Sequence, residues 1–206
     1  MIVIVDYGMG NLRSVQKGFQ SQGCQAIVSE RPSEISKADK LVVPGVGAFG
    51  DAMEELKKRK LIEPIKDFID QRKPFLGLCL GLQILFEKSY EQGEHKGLGV
   101  FKGEVKRFKP GLKIPHMGWN QIKRKAQGEK RKVDLFEGIG DGEYFYFVHS
   151  YYVEPKDPSI IAATTDYGIE FTSAVHKDNI FGLQFHHEKS QDKGLRILKN
   201  FAEAKC

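Results

Sequence analysis

The chain has 206 residues, with 32 Lys or Arg against 27 Asp or Glu and a formal net charge of +5, room for one domain or one domain with a small appendage. Hydrophobic residues at 40% and charged residues at 29% exclude disordered and fibrous classes, and no apolar run approaches the ~18 residues of a membrane span. Three widely separated cysteines, Cys24, Cys79 and Cys206, form no C-x-x-C pair, so neither a disulfide framework nor a zinc site is expected, and free thiols point to a reducing, cytoplasmic setting; no metal and no cofactor are expected elsewhere in the chain.

The opening run Ile2–Val5 reads as a buried strand rather than a secretory signal, because it is short and has no basic leader. Asn11–Gln22 follows as a helix, with Asn11 as its cap and Gly23 as its stop. Cys24–Val28 and Leu41–Val43 are short strands, each followed by a turn and helical patterning. Residues 49–72 are helix-rich, with Pro64 opening a second helix. Phe75–Cys79 is the next strand and Leu80–Ser89 the helix after it. Strands alternating with helices predict an α/β fold, an open, mostly parallel twisted sheet with helices on both faces.

After residue 98 the pattern turns to β. Val100–Phe108, Trp119–Lys125, Glu143–Val148, Ile160–Thr165, Phe171–His176 and Ile180–Phe185 alternate or run apolar between turn residues. They predict antiparallel strands that extend the first sheet or form a smaller second one. Asp192–Ala204 closes the chain as a helix. With no repeat or linker, a single domain over residues 1–206 is expected. The basic run Lys123–Lys132 has no interleaved aromatic residues for base stacking. It reads as a solvated hairpin or loop, and neither nucleic acid nor membrane is expected as a partner.

Chemistry concentrates at Gly77-Leu-Cys79-Leu-Gly81. In an open parallel sheet, ligands sit at the carboxyl ends of strands, and Cys79 stands at such an end. Glycines two residues away on each side match the G-x-S-x-G nucleophile elbow, with sulfur in place of oxygen. They remove Cβ atoms that would clash in a sharp strand-to-helix turn, and the following helix start favours a thiolate. A structural buried cysteine is the plainer alternative.

A base is found in Phe185-His-His-Glu-Lys-Ser190. If the strand before it stays extended, His186 and Glu188 project to the same side and His187 to the other. Glu188 would then orient the imidazole of His186 and stabilise its protonated form. Pro44-Gly-Val-Gly47, also at a strand end, can present backbone N–H groups as an anion hole or serve as an ordinary loop. Trp119, the only tryptophan, sits in a Gly-Trp-Asn turn and reads either as a packed core residue or as an exposed interface anchor.

Together PGVG at 44–47, GLCLG at 77–81 and FHHEKS at 185–190 resemble the class I (triad) glutamine amidotransferases. DYGMGNLRS at 6–14, PHMGWN at 115–120 and the stretch His149–Tyr151 are similar, more narrowly, to the glutaminase subunits of imidazole glycerol phosphate synthases in histidine biosynthesis. The resemblance covers essentially the whole chain. It implies Cys79 as nucleophile, His186 as base and acid, and Glu188 as orienter. It implies oxyanion donors at Leu80 and at Val46 or Gly47, on a strand that needs a peptide flip to complete the hole. It places Gly45, Gln83, Glu91, Ser150 and Tyr151 around the glutamine substrate, and Trp119, Tyr146 and Lys189 at a partner interface. The partner so implied is a cyclase subunit with a (β/α)₈ barrel, joined as a heterodimer and supplied with ammonia. The chain departs from the family at His187, where a proline is usual. Three other readings stay open: a glutaminase serving another synthase such as a sugar amidotransferase, a cysteine hydrolase acting alone, and a non-catalytic scaffold.

Overall fold

The computed structural model describes residues 1–125 and 134–204; most of the basic run 123–132, and Cys206, lie outside them. Strands and helices alternate as β1 (Ile2–Val5), α1 (Leu12–Ser21), β2 (Ala26–Ser29), α2 (Pro32–Lys37), β3 (Lys40–Gly45), α3 (Phe49–Lys58), α4 (Ile62–Asp70) and β4 (Phe75–Cys79). A short α5 (Leu80–Gln83) leads to β5 (Phe86–Ser89), β6 (His95–Lys96) and β7 (Phe101–Arg107). Then come β8 (His116–Gln121), β9 (Lys123–Arg124), β10 (Tyr144–His149), β11 (Tyr151–Pro155), β12 (Ile161–Asp166), β13 (Glu170–Lys177), β14 (Ile180–Leu183) and α6 (Gln191–Glu203).

The main sheet runs in the order β2-β1-β3-β4-β14-β13-β11-β7-β5-β6. Its first five strands are parallel, and antiparallel pairing begins at β13. The β1 and β4 side chains are buried throughout, as expected for parallel strands covered on both faces. Successive residues feed opposite layers. Val3 and Val5 pack with Ile35, Leu56 and Phe68, whereas Ile2 and Ile4 pack with Val15, Phe19, Ile197 and Phe201. The expected α/β sheet with antiparallel extensions is therefore what the chain forms.

Several elements differ from expectation, among them β6 and β11, where the sequence pattern predicts no strand although β11 joins β13 to β7 in the main sheet. The helix anticipated over Leu80–Ser89 ends at Gln83, and Phe86–Ser89 is a strand paired with β7. The carbonyls of Ile84, Leu85 and Phe86, which a longer helix would use internally, accept instead from the amides of Leu98, Phe101 and Gly99. Leu82, Ile84, Leu85 and Phe86 are all buried, and an uninterrupted apolar run carries no period that separates helix from strand. Pro64 falls third in α4, which begins at Ile62; the first turn of a helix has no intrahelical use for that amide.

β8 and β10 form a separate two-stranded ribbon. It reaches the main body through a bridge between Tyr146 and His186. Trp119, expected both to open a strand and to sit in a Gly-Trp-Asn turn, lies inside the paired strand β8, opposite Tyr146.

Candidate active site

The elbow shows why the cysteine is framed by glycines. Cys79 adopts φ 53° and ψ −107°, a region that costs a non-glycine residue about 1–3 kcal/mol and survives only where its surroundings enforce it. A Cβ at Gly81 would lie 1.8 Å from the Val43 carbonyl oxygen, and one at Gly77 would lie 2.4 Å from that of Gly81. The helical turn after Cys79 is thus pressed directly on the backbone of β3 and β4. Leu80, at the first helical position, keeps an amide without an intrahelical acceptor.

β14 lies parallel to β4, with Leu183 beside Leu78, so the chain leaving β14 arrives where β4 delivers Cys79. His186 and Cys79 line the same recess and the same cleft, and His186 Nδ1 shares a hydrogen bond with Glu188 Oε1 at 3.0 Å. The extended geometry expected for residues 186–188 does not occur. His187–Lys189 is a single 3₁₀ turn, closed by the Lys189 amide on the His186 carbonyl at 3.2 Å and the Ser190 amide on the His187 carbonyl at 3.0 Å. The Ser190 hydroxyl donates to the His186 carbonyl at 2.6 Å and accepts from the Tyr146 amide at 3.0 Å. The turn, not a strand, brings the imidazole and carboxylate together.

Proton affinities follow from these partners. Burial disfavours a charged His186, but its interactions with Cys79 and Glu188 outweigh it and raise the pKa to about 10. Burial likewise works against ionised Glu188, yet the two histidines and Asn11 lower its pKa to about 2. His187 behaves differently. It is buried, and its Nδ1 lies 3.4 Å from Glu188 Oε2 without hydrogen-bond geometry. Its ring, packed near Gly18 of α1, is pushed down to about 4 by desolvation. Contrary to the expectation that it faces away, His187 flanks the same carboxylate as His186.

A cleft of about 240 Å³ opens here, lined by Cys79, His186, Val46, Gly47, Leu80, Gln83, Glu91, Ser150 and Lys189. That is slightly below the roughly 300–1,000 Å³ of drug-sized sites, a scale suited to a small metabolite. Glu91 also accepts from the Phe49 amide at 2.7 Å, holding the start of α3. Gly45 lines a narrower recess on Cys79 and His186; a Cβ there would meet the Tyr7 hydroxyl at 2.3 Å. Tyr151 does not line the cleft but contributes its carbonyl, which accepts from Gln83 Nε2 at 3.0 Å. Among the described residues no group of three or more His, Cys, Asp or Glu side chains is arranged to hold a metal ion.

Trp119, Tyr146 and Lys189 come together. The Trp119 and Tyr146 rings meet edge to face at 6.0 Å, and Lys189 Nζ stands 5.1 Å from the Tyr146 ring centre. Opposed residues share a face of a ribbon, so Met117 and Tyr144 lie beside them, 60% and 50% exposed, with Trp119 at 47%.

A model of the class I glutamine amidotransferase family matches residues 3–204. The chain belongs to the class I glutamine amidotransferases. This amidotransferase is 54% identical to the imidazole glycerol phosphate synthase subunit HisH of Syntrophotalea carbinolica, over 98% of this chain and 100% of the relative. It is 53% identical to the HisH subunit of Aquifex aeolicus over 97% of this chain and 94% of that one. Among solved structures, a glutamine amidotransferase superposes with a TM-score of 0.74 at 18% identity, covering 99% of this chain and 100% of the other. The PurLQS structure from Thermotoga maritima gives 0.73 at 16% identity, covering 97% and 96%. At such identities the structures speak for the fold alone.

Three residues of the amidotransferase site carry no signal in local sequence. Asn11, expected to cap α1, makes no side-chain cap and donates to Glu188 Oε1 at 2.9 Å. Gln184 donates to the Cys79 sulfur at 3.6 Å. His149, which lines the cleft, pairs with buried His116 at 2.9 Å. DYGMGNLRS and PHMGWN contain Asn11 and His116, but spacing alone assigns them no task.

Proposed function

We propose that this amidotransferase is the glutaminase subunit of an imidazole glycerol phosphate synthase, hydrolysing glutamine to glutamate and ammonia with Cys79, His186 and Glu188. One observation carries the reading: His186, hydrogen-bonded to Glu188 at 3.0 Å, shares the wall of a small cleft with Cys79. Relatives named as that subunit, near half identical over almost the whole length, support the choice of synthase.

In this reading Cys79 gives its proton to His186, and the thiolate attacks the carboxamide carbon of glutamine. Charge on the carboxamide oxygen meets the amides of Leu80 and of Val46 or Gly47. The imidazolium, stabilised by Glu188, protonates departing ammonia and leaves a γ-glutamyl thioester. Water activated by His186 then releases glutamate and restores the thiol. Gln83, Glu91 and Ser150 line the space for the substrate, with Gly45 and Tyr151 framing it.

The ammonia is useful only if sheltered from water, so the reading includes a cyclase subunit with a (β/α)₈ barrel docked as a heterodimer. The exposed face carrying Trp119, Tyr146 and Lys189 is the proposed docking site; a large aromatic anchor suits such a surface. A cytoplasmic location belongs to the same reading; among the described residues no helix is long and apolar enough to cross a membrane. The test is Cys79→Ala in complex with a cyclase subunit. Glutamine-dependent synthesis is expected to vanish while ammonia-dependent synthesis persists, and retained use of glutamine would refute the nucleophile.

A further inference from the structure

Beyond the three side chains above, the sulfur has another polar neighbour. Gln184 is wholly buried, directly after β14, and its Nε2 lies 3.6 Å from Cys79 Sγ. A buried carboxamide in contact with sulfur can turn either end toward it, and only the nitrogen end donates.

The surroundings decide which end. The carbonyl of Tyr151 can only accept, and it receives Gln83 Nε2 at 3.0 Å. The same nitrogen reaches Gln184 Oε1 at 3.0 Å. That leaves the Gln184 amide nitrogen as the group on the sulfur side. The Tyr151 carbonyl also takes His149 Nδ1 at 2.8 Å, so it is held from two directions and is a firm anchor.

We infer that Gln184 is a further residue of the reaction, whose carboxamide N–H stabilises the Cys79 thiolate, and that Gln83 and the Tyr151 carbonyl fix its orientation. This rests on the reading of Cys79 as the nucleophile. A donor to an ionised acceptor strengthens as charge develops, so the contact favours the attacking form over the thiol. It also spends both Gln83 amide hydrogens, leaving Gln83 Oε1 as the atom available to substrate. The titratable groups facing Cys79 are His186, backed by Glu188, and Tyr7.

The experiment follows alkylation of Cys79 by iodoacetamide across pH in the full chain, with the modified peptide quantified by mass spectrometry. Gln184→Met removes the donor at similar length. Gln184→Glu keeps the acceptor for Gln83 and replaces the donor by a carboxylate. Alkylation at neutral pH is expected to slow about tenfold in Gln184→Met, as for a thiol that ionises about one pH unit later. A larger loss is expected in Gln184→Glu, with both profiles moved to higher pH. Profiles that coincide with the native one in either folded variant would overturn the proposal. Should neither variant fold, the native chain decides: the Gln184 side-chain amide protons, observed by NMR, are expected to change in resonance position as Cys79 ionises, and no change would sink the idea. Alkylation consumes no glutamine, so its outcome is independent of the Cys79→Ala test above.

Discussion

Two histidines line one cleft, His186 and His149, and end with opposite shifts in proton affinity. His186, between Cys79 and Glu188, holds its proton up to about 10. In the β8–β10 ribbon, desolvation lowers His149 to about 3 and His116 to about 4. All three are buried, so burial does not explain the difference. The partners do. His149 donates to the Tyr151 carbonyl and pairs with a second neutral ring, while His116 meets the Asn120 amide at 3.2 Å. No carboxylate is among these partners. A carbonyl bonded to Nδ1 fixes the tautomer of His149, leaving Nε2 to accept from His116, whose own Nε2 then accepts from Asn120. One cluster is organised around charge, the other around a relay of neutral hydrogen bonds.

The strongest way to break the charged cluster is His186→Ala, expected to lower glutamine turnover by roughly 10⁴–10⁶-fold, by analogy with the loss of other triad bases. Measured turnover in complex with a cyclase subunit checks it. Glu188→Gln keeps the shape but removes the charge, and a roughly 10⁴-fold loss is expected. NMR titration of the His186 ring should then show its proton affinity falling, because the attraction that offsets burial is gone.

The neutral cluster predicts a structural effect instead. His116→Phe leaves His149 Nε2 without its donor, and chemical denaturation should report a loss of about 1–3 kcal/mol. A larger effect on turnover than on stability would erase the contrast between the two clusters.

The smallest effect concerns pH. The folded-state value of His187, about 4, lies below its unfolded value near 6.5. The unfolded chain therefore takes the proton first, and stability falls as pH drops from about 6.5 toward 4, with His116 and His149 acting in the same direction. His186 acts oppositely: its raised value contributes stability that is complete below about 6.5 and is lost as pH rises through about 10. His187→Leu should flatten the acid side by up to about 1.4 kcal/mol per pH unit, measured by urea unfolding at pH 5 and pH 7.

The elbow was legible because its requirement is local: Gly77 and Gly81 stand where backbones approach within contact, and no other residue fits. The parallel strands were legible for the same kind of reason, as short β-branched runs between helical patterns. Phe86–Ser89 was not, since an apolar segment buried on every side has no period to read. Trp119 carried both signals, a strand from the pattern over 119–125 and a turn from Gly118 and Asn120, and cross-strand pairing with Tyr146 decided for the strand. The proximity of His186 and Glu188 was readable from their spacing, but the 3₁₀ turn that produces it was not, because Ser190 and Tyr146 close it from the side.

The chain by itself determined where sulfur stands on a tight bend, which imidazole and carboxylate accompany each other, and which strands are covered on both faces. Those follow from near-neighbour sterics and hydrophobic pattern. Only the tertiary structure decided that residue 186 meets residue 79, that Asn11 serves Glu188 rather than its own helix, and that Gln184 turns its nitrogen to the sulfur. Hydrogen-bond partners and proton affinity depend on what is buried beside a group in space, and strand order, not sequence separation, sets that.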